Sequence, residues 1–187
     1  MVFLGLGASR PTKRWPTQHF ARLAELMRDR ADLIPAMITG PGEAEAVFSG
    51  QVLDEMRARG LRSMGAGGKG DFLHLAGFGV RKLAQALSAV RAYLGNDSGP
   101  KHIAAAVGIP TFTFFGPEDP GEWHPYSRER HPVFFREDLP CRREDQGRWC
   151  GLETCDLQGQ EFHRCMSELD PIDAWNQLER SLSLRAL

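Results

Sequence analysis

A doubly wound, Rossmann-like α/β domain built on a parallel sheet is the fold this sequence predicts, and three observations predict it. Short apolar runs of strand length alternate with stretches whose apolar residues recur at helical spacing. Those runs are apolar at successive positions, as strands covered on both faces require. They lead into loops rich in Gly, Ser and Asp, at the strand ends where open α/β sheets bind ligands.

The elements follow in order. Val2-Phe3-Leu4-Gly5-Leu6 reads as a buried strand. Thr17 can cap a helix in which Phe20, Leu23, Ala24 and Met27 repeat at i, i+3, i+4 and i+7. Leu33 to Thr39 is the next strand, with Pro35 near its start because proline cannot donate to a central ladder. A helix carrying Phe48, Val52 and Met56 follows Gly40-Pro41-Gly42-Glu43. Residues 60–79 are glycine-rich, and a short strand is expected near Leu61–Met64. Val80, Leu83, Ala84 and Leu87 mark a helix, and Ala89 to Leu94 a strand. The turn Gly95 to Gly99 leads into a small-residue helix from Pro100 to Val107, then the strand Thr111 to Phe115. Alternation of this kind implies right-handed crossovers.

The whole chain, 1–187, reads as a single domain. Residues 117–170 hold all four cysteines and many mixed charges, and are expected to form an irregular surface segment. A closing helix over 171–184 carries Trp175, Leu178 and Leu182 on one stripe.

Composition limits the function classes. At 42% hydrophobic and 25% charged residues, the chain has the balance of a globular protein. Lys and Arg total 23 against 24 Asp and Glu, a net charge of −1, so the broad basic footprint of a nucleic-acid binder is missing and no nucleic-acid partner is expected. No apolar run approaches the roughly 20 residues of a membrane helix, so no membrane span is expected. The start, MVFLGLGASRPTKR, places a very short apolar run before its basic residues, the reverse of a secretory signal. Four cysteines are too few to staple a chain of this length, and a reducing, cytosolic setting is expected.

Three loops hold the candidate chemistry. Gly7 to Pro16 has hydroxyls at Ser9 and Thr12 and cations at Arg10, Lys13 and Arg14, with no acid before Glu25. A positive, hydroxyl-bearing loop after a parallel strand suits a phosphate; a solvated basic loop is the plain alternative. In Gly95-Asn96-Asp97-Ser98-Gly99-Pro100-Lys101-His102, a helix start offers free N–H groups, Gly99 permits close approach, and Lys101 and His102 add donors. Asp97 either caps the helix or binds a sugar hydroxyl. Glu43 is either a dipole-stabilised acid in the first turn of its helix or an acceptor for ribose.

Other signatures fail. Arg10 stands where a dinucleotide fingerprint wants its third glycine, no Walker A sequence exists, and Ser98 lacks a nucleophile-elbow setting. Cys141, Cys150, Cys155 and Cys165 could together hold a structural zinc, but without a Cys-x-x-Cys knuckle reduced cysteines packing a surface segment are the preferred reading.

Read together, Lys13-Arg14-Trp15-Pro16, Gly40-Pro41-Gly42-Glu43, the run from Gly95 to Ala106, Phe114-Phe115-Gly116-Pro117 with Pro120 and Trp123, and Arg164-Cys165-Met166 resemble glycosyltransferase family 9, the ADP-heptose:lipopolysaccharide heptosyltransferases. The resemblance implies a GT-B fold of two Rossmann-like lobes, of which this chain is the C-terminal, donor-binding one. The N-terminal acceptor lobe, with its proposed general base, would be absent, and the isolated chain would turn over little. The resemblance further implies an inverting transfer of heptose from an ADP-sugar donor substrate to the lipopolysaccharide core, with no cofactor or catalytic metal required. Catalytic roles fall to Lys13 and Asp97. Donor binding falls to Ser9, Thr12, Lys13, Glu43, Phe78, Asn96, Asp97, Ser98, Gly99 and His102. Phe78 would pack on the adenine or simply fill the core. The acceptor, a lipid-linked saccharide, would reach the enzyme through the other lobe, at the cytoplasmic face of the bacterial inner membrane. A stand-alone nucleotide or sugar-phosphate binding module without transfer activity is the alternative, and a third reading is an unrelated doubly wound domain in which Asp97 only caps its helix.

Overall fold

The computed structural model describes residues 1–31, 33–65, 67–142 and 149–183. Six strands, β1 (Val2–Gly5), β2 (Pro35–Thr39), β3 (Leu73–Ala76), β4 (Tyr93–Asn96), β5 (Thr111–Phe114) and β6 (Val133–Phe134), form one sheet in the order β3-β2-β1-β4-β5-β6. All five pairings are parallel. This is the doubly wound order of Rossmann-type domains.

Two helical layers follow from the side-chain alternation of the strands. Val2, Leu4, Leu94, Phe112 and Phe114 face a core shared with α1 (Thr17–Ala31), α2 (Glu43–Ala58) and α7 (Pro171–Ser183). Phe3 and Tyr93 face the other way, onto α3 (Val80–Ser88) and α4 (Gly99–Ala106). In α1 the expected stripe of Phe20, Leu23, Ala24 and Met27 is fully buried, and in α7 so are Trp175 and Leu178. Residue 184, the last of the expected closing helix, lies outside the described residues.

Three elements differ from expectation. The strand expected near Leu61–Met64 is only a bridge between Ser63 and Phe72; the true β3 lies later, at the sheet edge, where the short apolar run Leu73-His74-Leu75-Ala76 is interrupted by His74 and flanked by glycines. Strand β4 starts at Tyr93, later than Ala89, because α3 is followed by a turn at Ala89–Val90 before the chain re-enters the sheet. The proline-rich stretch after Gly116 supplies the two-residue strand β6, with Phe115 N–H donating to the Phe134 carbonyl, and two short helices, α5 (Pro120–Trp123) and α6 (Arg164–Ser167).

The order reverses between β1 and β4, and there the two strands run very close. A Cβ on Gly95 would strike the backbone of Gly5, and one on Gly5 would strike the Tyr93 ring. The absent side chains let Tyr93 lie flat across β1, stacked with Phe3, its hydroxyl donating to the Asn96 carbonyl at 2.9 Å.

Candidate functional site

The loops leaving β1 and β4 meet at the switch point and enclose a pocket of about 490 Å³. Gly7, Ala8, Ser9 and Lys13 line it from the β1 side. Asp97, Ser98, Gly99, Pro100 and His102 line it from the β4 side, with Glu45 and Trp123 completing the wall.

Buried hydrogen bonds lock the two loops together. Asn96 is fully buried; its Oδ1 accepts the Trp15 N–H at 2.9 Å and its Nδ2 donates to the Leu6 carbonyl at 2.8 Å. Trp15, also fully buried, stacks on Phe114 at 3.9 Å between centroids and donates its indole N–H to the Leu169 carbonyl at 2.9 Å. A neutral amide serves here because it offers a donor and an acceptor with no charge to desolvate.

The cations of the β1 loop divide. Arg10 turns away, to Glu118 and the Gly151 carbonyl. Arg14 lies 5.0 Å from the Phe48 ring centroid. Lys13 faces the pocket, its Nζ 2.5 Å from Asp97 Oδ2. Helix α4 starts at Gly99 with no capping side chain and no acid in its first turn, so its free amide N–H groups and the positive end of its dipole point the same way. His102 meets the Tyr126 hydroxyl through Nδ1 at 2.7 Å. Burial, with the charges of Lys101 and Lys13, lowers the pKa of His102, which favours a neutral imidazole.

The structure brings together Ser9, Lys13, Asp97, Ser98, Gly99 and His102 of the expected residues, and leaves the others elsewhere. Thr12 is buried and faces away, its hydroxyl donating to the Leu152 carbonyl at 2.5 Å. Asn96 lies beneath the pocket as the brace just described. Glu43 is exposed; Glu45, one half-turn later, reaches the pocket and accepts the Gly40 N–H at 2.9 Å. Phe78 is half-exposed, with Lys82 Nζ 5.7 Å above its ring, and does not line the pocket. Lys101, expected to add a donor, is fully buried behind the wall. Glu45, which sequence reasoning missed, and Trp123, which it noted without a site role, also line the pocket. Helical spacing leaves Glu43 and Glu45 equally plausible, and a 50% exposed Trp123 has no periodic signal at all.

The four cysteines are free and line a second, small and mostly apolar cavity together with Thr12 and His163. Among the described residues no group of three or more His, Cys, Asp or Glu is arranged to hold a metal ion.

The family described as glycosyltransferase family 9 (heptosyltransferase) matches residues 1–148. The chain belongs to that family. Within it, the chain is 30% identical over 193 aligned residues to lipopolysaccharide heptosyltransferase 1 of Pseudomonas aeruginosa, an alignment covering 97% of this chain and 48% of the relative. The family 9 chain thus spans about half the length of this curated relative. Its fold is similar to that of part of E. coli ADP-heptose lps heptosyltransferase II, with a TM-score of 0.71 at 20% identity over 100% of this chain and 47% of the other. It is also similar to E. coli heptosyltransferase WaaC with ADP, with a TM-score of 0.57 at 20% identity, covering 71% and 36% of the two chains.

Proposed function

We propose that this chain is the donor-binding lobe of an inverting heptosyltransferase, which holds ADP-heptose while a lipid-linked lipopolysaccharide acceptor approaches from the rest of the protein. One observation carries the reading: Lys13 and the uncapped start of α4 converge on a single open pocket at the switch point.

In such a transfer, the bond from the anomeric carbon to the acceptor oxygen forms as the bond to the β-phosphate oxygen breaks. The acceptor hydroxyl gives up its proton to a base outside this lobe, and the departing ADP takes the electron pair. The difficulty is the charge that gathers on the leaving diphosphate, and fixed donors answer it best. The Lys13 ammonium and the N–H groups of Ser98 and Gly99 supply those donors, with His102 adding a neutral one and the Ser9 hydroxyl another. Asp97 acts through Lys13, holding its ammonium at the wall. Glu45 is the acceptor best placed for a ribose hydroxyl, and Trp123 offers an apolar face on the rim. No helix among the described residues is long and apolar enough to cross a membrane. Work at the cytoplasmic face of the inner membrane is proposed from the family's lipid-linked acceptor.

Parallel calorimetric titrations with ADP, UDP and GDP test the proposal. Tightest binding of ADP supports it. Equal binding of all three reduces it to a diphosphate site, and binding of none removes it.

A further inference from the structure

Lys101 is 0% exposed, an unusual place for an ammonium group, and its contacts account for it. Its Nζ donates to Asp97 Oδ1 at 2.5 Å and to the Trp123 carbonyl at 2.8 Å, and lies 4.8 Å from the Phe115 ring centroid. The other oxygen of Asp97 holds Lys13. One carboxylate therefore serves two ammonium groups, one sealed behind the pocket and one on its wall.

The charge count shows what the sealed one does. Lys13 and Asp97 alone would be a closed, neutral pair, and an arriving polyanion would meet a carboxylate beside every lysine contact. With Lys101 present the trio carries +1, and Asp97 is engaged from behind. The surplus is felt at the wall, where the side chains of Lys13 and Asp97 are largely buried and charges act more strongly than in bulk water.

We propose that Lys101 is a positioning residue for diphosphate recognition: a buried counter-cation that engages Asp97 so that the charge of Lys13 is left to the ligand. This rests on the diphosphate reading of the pocket and deepens it. Lys101 itself touches no ligand.

The test is a thermodynamic cycle read with two probes, ADP and inorganic pyrophosphate. Lys101→Met removes the cation and keeps the length of the side chain. It is expected to weaken both probes about tenfold, the size of one compromised charge-assisted hydrogen bond. Adding Asp97→Asn in that background restores the net charge of +1, and is expected to bring both affinities back to within about threefold of the unmodified chain, because the two sites are coupled. A merely structural lysine would lower the melting temperature without any such rescue. Unchanged binding by Lys101→Met, or a double variant no better than the single, overturns the proposal. If Lys101→Met does not fold, the double variant decides alone: it buries no unpaired charge, and a loss beyond about tenfold overturns the proposal. Binding of pyrophosphate but not ADP by the unmodified chain would refute the nucleotide reading while leaving the cycle intact, and binding of neither refutes both.

Discussion

Thr12 and Lys13 are neighbours in one short turn, yet they line different cavities. Lys13 faces the open polar pocket at the switch point; Thr12 faces the small cavity of the four thiols. The first has an ammonium group, a helix start and a neutral imidazole around a space that a nucleoside diphosphate could fill. The second has free thiols and little polar surface. What separates them is the partner each residue finds. Asp97 comes to Lys13 from the β4 loop, and the Leu152 carbonyl comes to Thr12 from the cysteine segment. A loop that reads as uniformly basic and hydroxyl-rich is thus sorted, residue by residue, by the elements folded onto it.

Trp15 anchors the turn that separates the two residues. Trp15→Ala removes the stack on Phe114 and the indole hydrogen bond to Leu169. Urea unfolding should show a loss of about 3–5 kcal/mol. A variant of nearly normal stability would mean that the turn is held by something else.

The two neighbours then sharpen the contrast between the cavities. Lys13→Ala should weaken ADP by roughly 10- to 100-fold, since a charge-assisted hydrogen bond contributes ~1.5–3 kcal/mol. Thr12→Val should leave ADP affinity within about twofold, because its hydroxyl serves the other cavity. Equal effects in the same titration would erase the distinction.

Behind the polar pocket lies His124, buried against Phe115 and Tyr126, its Nε2 at 2.8 Å from the His131 carbonyl. Burial, with a push from the Lys101 charge, brings its pKa down to about 4. The unfolded chain takes up that proton near pH 6.5 and the folded chain does not. The stability contributed is therefore full above about pH 6.5 and lost as pH falls toward 4. Melting curves across that window should register a loss on the order of 2 kcal/mol, which His124→Gln should flatten.

The smallest expected effect lies on the thiol side. Burial pushes the Cys165 thiol up to about 12, whereas Cys150 is exposed. A disulfide reagent at neutral pH should modify Cys150 first and Cys165 last, with little change in ADP affinity. Rapid modification of Cys165 would show that the cavity opens readily.

How much of this was legible follows from which forces write the sequence pattern. Strand β1, helix α1 and helix α7 were readable because burial on both faces writes an unbroken apolar run from Val2 to Leu6, and burial of one face writes a helical period into Phe20 to Met27 and Trp175 to Leu182. Strand β3 was not, because its four residues, interrupted by His74 and set in a glycine-rich stretch, leave too short a pattern to read. Strand β6, two residues beside Pro132, is fixed by its neighbour β5 alone. At the site, the loops themselves were visible through their glycines and helix start. The placements within them were not: Asn96 as a brace, Lys101 behind the wall and Glu45 on the pocket wall are decided by long-range partners that no local spacing encodes.

The central claim is that the β1 loop and the start of α4 hold one diphosphate between them. Backbone amide shifts of the labelled chain, followed as ADP is added, test it most directly. The amides of Ser9, Lys13, Ser98 and Gly99 are expected to move together and saturate along one curve, while those of Cys155 and Leu157 stay still. Shifts confined to one of the two loops, or centred on the thiol cavity, would contradict it.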